Sequence, residues 1–220
     1  MRYMFRILVI VFVIFAFEVN AIDPVIMNCV ETPEIYNIQD KPKDFYMSNN
    51  LRRKVGSAVT AKGELIYIVG RVTDVNCIPV ENVNVFMWQA NTYGIYQNDF
   101  NGTEIHTDNK YDENFSGSGK ATTDNLGNYS FITVMPGKYS NRVPHVNFML
   151  QHPEFLEFYT EMFFSEYNNL VDPVLNRMVS PHLRKLLIAQ YTVNDLGIKI
   201  YRFNITLGEQ STYKTNKYGK

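Results

Sequence analysis

Cysteine is scarce in this sequence, and neither sign of charge is in excess. Only Cys29 and Cys77 occur among 220 residues, which excludes a disulfide scaffold and leaves at most one bridge. Whether those two side chains meet stays open at this level. Lys and Arg number 21 and Asp and Glu 22; with Arg2, Arg6 and Glu18 set aside the balance is 19 against 21. Nothing in that balance predicts a nucleic-acid partner. The apolar run Ile7 to Phe17 would reach only about 16 Å as a helix, against a hydrocarbon core of about 30 Å.

That short run sits behind Arg2 and Arg6 and ahead of Val19, Asn20 and Ala21. Basic, apolar and small-residue segments in this order predict a secretory signal peptide over 1–21, with a mature chain from Ile22, exported to a periplasm or the exterior. An uncleaved interfacial anchor is the alternative; after cleavage no membrane contact is expected. About 200 residues then remain, enough for one ordinary domain with a core.

What the chain has in quantity is aromatic residues, 15 Tyr and 15 Phe, which suit strands packed face to face. Residues 22–59 are polar, contain Pro and lack period, and are expected to form an N-terminal arm lying along the domain. Strand patterns crowd the stretch from 60 to 208. "ELIYIVGRVTD" (Glu64 to Asp74) and "VNVFMWQAN" (Val83 to Asn91) are expected to pair antiparallel, and "YSFITVM" follows the turn "TDNLGN". "EFYTEMFFSE" and "IKIYRFNITL" are later strands. "SPHLRKLLIAQY" (Ser180 to Tyr191) predicts a helix, with a cap at Ser180 and Pro181 in its first turn. Gln97 to Lys120 has no period and is expected to be a long loop of the kind that covers active sites. Residues 209–220 form an expected flexible tail. The predicted class is all-β, a β-sandwich of mainly antiparallel strands with one short helix in the C-terminal half.

Within "RVPHVNF" (Arg142 to Phe148), a strand turns His145 and Asn147 to one side and Val146 and Phe148 to the other. Two polar groups therefore converge. The plain reading is an edge strand with a wet face.

Four stretches, taken in order, change that reading. "GRVTDVNCIPVENVNVFMWQANTYGIY", "DENFSGSGKATTDNLGNYSF", "MPGKYSNRVPHVNF" and the pair "TEMFF" and "YRFNITL" together resemble the intradiol ring-cleavage dioxygenases, the protocatechuate and catechol dioxygenase family. The resemblance runs from about Leu65 to Leu207 and is most specific where Trp88 to Tyr96 joins Arg142, Pro144 and His145. It implies one non-haem Fe(III) held by two tyrosines and two histidines. Those roles fall on Tyr96, the displaceable ligand, on Tyr139, the retained one, on His145, and on position 147. The implied substrates are a small aromatic diol and O2, with the bond between the two hydroxyl-bearing carbons cut. Arg142 would stabilise charge developing on the substrate. A trivalent ion accounts for the phenols, because a bound cation lets tyrosine stand as phenolate at neutral pH, and hard oxygens suit Fe(III).

Two residues depart from the family pattern. Asn147 stands where the second histidine is expected, and a neutral amide is a poorer donor to iron. Glu161 stands near the substrate where the family usually has glutamine; its carboxylate is one candidate substitute ligand, and His106 in the loop is another. His152 and His182 are assigned to a turn and the predicted helix. Two other readings stand beside the active enzyme: a catalytically impaired relative that binds a phenolic ligand or a partner, and an adhesive carboxypeptidase-regulatory-like sandwich. Homo-oligomerisation is left open.

Overall fold

The computed structural model describes residues 29–97 and 110–208. The expected signal peptide, most of the Gln97 to Lys120 loop with His106, and the tail lie outside the described residues.

Among the described residues nine strands make up the fold: β1 (Leu65–Asp74), β2 (Asn84–Trp88), β3 (Ser118–Thr122), β4 (Asn128–Val134), β5 (His145–His152), β6 (Phe155–Phe164), β7 (Ile188–Val193), β8 (Lys199–Arg202) and β9 (Ile205–Leu207). Their order is β3-β2-β5-β6-β7-β8-β1-β4, with β9 on β1. The path folds into two leaves, joined where β6 and β7 run parallel for two residue pairs, Phe163 with Ile188 and Phe164 with Ala189. Within the leaves most pairings are antiparallel, while β8 and β9 run parallel to β1. The all-β sandwich expected from the sequence is therefore the observed fold.

Alternation explains the interior. On β5, Val146, Phe148 and Leu150 enter the main core with Val85 and Met87 of β2 and Ile66 and Ile68 of β1. Phe148 meets rings of the other leaf, Phe131 at 6.4 Å and Phe203 at 5.4 Å between centroids. Each such side chain, fully buried, stabilises the fold by roughly 1.5–3 kcal/mol.

Two local expectations are corrected. β1 and β2 do not pair, because after the turn "DVNCIP" the chain follows β1 only briefly: Thr73 bridges Pro79, and Val80 N–H donates to the Val72 carbonyl. It then crosses to the other leaf at Thr123, whose hydroxyl accepts from Val83 N–H. The helix is also misplaced. Ser180 to Tyr191 holds a turn, a 3-10 segment at Arg184–Leu187 and strand β7, since pairing with β8 outweighs the leucine spacing. The helix is α1, Pro173–Met178, started by Asp172, whose side chain accepts from Val174 and Leu175 N–H, with Pro173 in its first turn. In addition, Ser118 to Lys120 of the expected loop belong to β3.

The outward residues of β5 from His145 to Met149 and of β6 from Tyr159 to Phe163 are also buried, because part of the segment 29–59 lies across them. Ile35 N–H donates to the Tyr159 carbonyl of β6, while further along Leu51 N–H donates to the Ile132 carbonyl of β4. Phe45 packs on Phe86 and Trp88 at 4.9 and 5.9 Å between ring centroids. Cys29 is disulfide-bonded to Cys77, which ties the start of this segment to the turn between β1 and β2.

Candidate active site

The motif residues first act as carpentry. Gln89, fully buried, donates to the Val134 carbonyl and accepts from the Thr133 hydroxyl, so the end of β2 is locked to β4. Asn91 accepts from the N–H groups of Tyr93 and Ile95 and donates to the Lys110 carbonyl. That turn requires Gly94, whose φ is +80°: a Cβ there would lie 1.9 Å from the Lys138 carbonyl oxygen. The close approach of the two loops puts the rings of Tyr96 and Tyr139 edge to face, 4.7 Å between centroids.

His145 completes this cluster from β5. Its Nδ1 lies 2.8 Å from the Val143 carbonyl, which can only accept, so Nδ1 carries the proton and Nε2 keeps its lone pair. Nε2 is 3.2 Å from the Tyr96 hydroxyl, which therefore donates to it. Burial lowers the pKa of His145, and the imidazole is neutral. Burial raises the pKa of Tyr96 far above the usual phenol value, partly offset by a hydrogen bond from Asn147. Without a cation, Tyr96 keeps its proton.

Asn147 shares that spot. Its Nδ2 donates to the Tyr96 oxygen at 2.9 Å and to the Trp88 carbonyl at 3.2 Å. Because the Trp88 carbonyl only accepts, the amide nitrogen must face this side. Asn147 thus offers an N–H group to Tyr96, where an imidazole would offer a lone pair.

Arg142 and Glu161 are together but engaged. The Arg142 guanidinium reaches the Glu161 carboxylate at 2.5 Å and that of Asp172 at 2.8 Å, and all three residues are buried. Burial opposes the charge on Arg142, yet the two carboxylates outweigh it and its pKa is raised. Glu161 also accepts from Asn37 at 3.1 Å. The Tyr139 hydroxyl donates to Asp40 at 3.1 Å.

The structure therefore brings together Tyr96, Tyr139, His145 and Asn147, with Arg142 and Glu161 as a neighbouring ion pair. Sequence reasoning missed Asp172, Asn37 and Asp40. Asp172 had a local signal, an acidic cap ahead of Pro173; Asn37 and Asp40 arrive from more than 95 residues away and had none. His152 accepts from Glu154 N–H in the β5–β6 turn, and His182 lies in the turn before the 3-10 segment, both away from this cluster.

Tested against Fe(III), three donors fit. Two phenol oxygens are hard donors, and an imidazole whose Nδ1–H is held by a carbonyl is the usual arrangement of a metal-ligating histidine. Asn147 does not fit as a fourth ligand in the orientation its hydrogen bonds require. Beside Tyr96 a cavity of about 240 Å³, lined by Asp40, Trp88, Tyr111 and Phe115 among others, leaves room for a small ring.

A β-sandwich with two phenols and an imidazole clustered on its covered outer face is the framework of a ring-cleaving dioxygenase, and the comparisons agree. The dioxygenase family model matches residues 45–209. A Rickettsia typhi protein whose name carries an inferred dioxygenase assignment is 37% identical over 144 residues, 64% of this chain and 69% of that one. The protocatechuate 3,4-dioxygenase alpha chain of Pseudomonas putida is 32% identical over 162 residues, 69% of this chain and 76% of that one. In fold, the intradiol ring-cleavage dioxygenase of Tetranychus urticae superposes with a TM-score of 0.59 at 20% identity, covering 82% of this chain and 95% of that one. The chain belongs to the intradiol ring-cleavage dioxygenase family. That membership displaces the adhesive-module reading.

Proposed function

We propose that this protein is a non-haem Fe(III) dioxygenase that cleaves a small catechol-type ring between its hydroxyl-bearing carbons with O2. One observation carries the reading: the lone pair of His145 Nε2 and the phenol oxygen of Tyr96 stand 3.2 Å apart, beside the Tyr139 ring and a cavity. Tyr96, Tyr139 and His145 would hold the ion, which when bound supplies the Lewis acidity that activates the diol toward O2. The chain's own residues do the rest. The proton that Tyr96 shares with His145 is the one a cation replaces. The Val143 carbonyl keeps the imidazole in the tautomer that binds. Phe45, Trp88 and Phe115 keep the neighbourhood dry, which strengthens each electrostatic contact.

Two supports bear on location and assembly. A disulfide is at home in an oxidising compartment, in keeping with export behind residues 1–21. Relatives named as alpha and beta chains of protocatechuate 3,4-dioxygenase support an assembly of more than one chain.

A second reading, a catalytically impaired relative, is favoured by Arg142. With Glu161 and Asp172 both on its guanidinium, it has little charge left to offer a substrate. The experiment is Fe(III) titration of the purified protein followed by oxygen uptake with a panel of catechols. A charge-transfer colour with ring cleavage supports the enzyme. A coloured protein that consumes no O2 supports the impaired relative, and a colourless protein that takes up no Fe(III) removes both iron and enzyme.

A further inference from the structure

Three protein donors leave a ferric site short of a ligand and short of charge, and the position expected to supply the fourth presents an amide N–H. Three candidates for the vacancy can be weighed on contacts. Glu161 is committed to Arg142 at 2.5 Å and to Asn37 at 3.1 Å. Asn147 has its nitrogen turned to Tyr96 and Trp88. Asp40 differs, because its carboxylate already touches one of the two phenols, 3.1 Å from the Tyr139 oxygen.

Resting on the Fe(III) reading above, we propose that Asp40, brought in by the N-terminal segment, is the fourth protein ligand and takes the part that Asn147 leaves unfilled. Charge counting supports it. Two phenolates leave one positive charge of Fe(III) uncompensated, and an uncompensated charge in a poorly solvated site is costly. The carboxylate cancels it, so Tyr96, Tyr139, Asp40 and neutral His145 make an uncharged complex. Binding releases the two phenol protons to water. A carboxylate oxygen is also a hard donor, matched to Fe(III) better than an amide. The position is suitable as well: Asp40 is half-buried and lines both the cavity beside Tyr96 and a second one, about 510 Å³, that reaches Tyr139 and Arg142. The segment carrying it is anchored on either side by Asn37 on Glu161 and by Lys41 Nζ on the Tyr159 hydroxyl at 3.0 Å.

The test is Fe(III) titration of the full protein and its Asp40→Asn, Asp40→His and Asp44→Asn variants, read by visible absorption and by bound-iron analysis after dialysis. Asp40→Asn should lose at least about tenfold in affinity, since even a residue behind a ligand commonly costs 10- to 100-fold. Asp40→His should retain iron with a shifted absorption band, while Asp44→Asn, altered in the same cavity wall, should match the parent. Asp40→Asn with the parent's affinity and band would overturn the ligand assignment and leave the Fe(III) reading standing. A parent that binds no iron would overturn both. Should Asp40→Asn fail to fold, a crystal structure of the iron-loaded parent decides: Asp40 at bonding distance supports the assignment, and Asp40 turned away ends it.

Discussion

The carboxylate of Asp172 holds the Arg142 guanidinium at 2.8 Å, and the same carboxylate starts α1 by accepting from Val174 and Leu175 N–H. It accepts from Val143 N–H too, so one side chain joins the helix to the segment that aims His145. Asp172→Ala removes a partner from a buried ion network and a helix cap together. Destabilisation of about 3–5 kcal/mol is expected in urea unfolding. Asp172→Asn keeps a good cap and should recover about 1 kcal/mol of that loss. Equal stability of the two variants would show that the cap contributes nothing.

Gly94→Ala should separate the two phenols. The added Cβ meets the Lys138 carbonyl at 1.9 Å in a backbone with φ +80°, so the loops carrying Tyr96 and Tyr139 must move apart. A stability loss of about 1–3 kcal/mol is expected. Under the Fe(III) reading, the tyrosinate absorption should fall with it. Gly56→Ala is the matched control, because its φ is also positive at +81° but no atom lies within 4 Å of the built Cβ. It should cost stability and leave iron colour unchanged.

What was legible beforehand was what alternates or sits close in sequence. Val146 and Phe148 against His145 and Asn147 gave β5 and its two faces, and the span from Trp88 to Tyr96 gave one wall of the site. Strand partners were less legible, because β1 and β2 share a turn yet Pro79 to Val83 cross between leaves through a bond to Thr123, about 40 residues away. The leucine spacing of Ser180 to Leu187 reads as helix because the strand that follows at once, β7 from Ile188, is fixed by pairing with β6 and β8, which is written elsewhere in the chain. Asp40 and Asn37 carried no local signal at all. Their meaning comes only from the faces they cover.

The Cys29–Cys77 bridge closes a span of 48 residues that includes Asn37, Asp40, Lys41 and Phe45, the residues lying over the site. In the chain-entropy account such a closure stabilises by about 4 kcal/mol. Cys29→Ala with Cys77→Ala should therefore lower unfolding free energy by about 2–5 kcal/mol. Because the lost tether belongs to the covering segment, native-state hydrogen exchange should quicken first at Ile35 N–H, which donates to Tyr159, and later in β5. Uniform quickening across both would mean that the segment and sandwich open as one unit.

Asn147→His tests the site from the opposite side. The natural side chain donates to the Tyr96 oxygen at 2.9 Å; that bond eases ionisation of the phenol but supplies no lone pair to an ion, and burial still keeps the proton that Tyr96 shares with His145. A histidine there replaces an N–H directed at that oxygen with a second imidazole on the face that carries His145, and Trp88's carbonyl, which Asn147 now satisfies, becomes available to orient the new ring's N–H. Fe(III) affinity should rise at least about tenfold, the increment typical of gaining even an orienting partner, with the absorption band shifted from the parent's. In the metal-free protein the same change breaks two hydrogen bonds in a buried place, at a net cost of about 1–3 kcal/mol. Stability without iron should therefore fall while stability with iron rises. A variant less stable in both states, with no gain in iron, would mean that the pocket is built around the amide and that Asn147 belongs to a site working without a second imidazole.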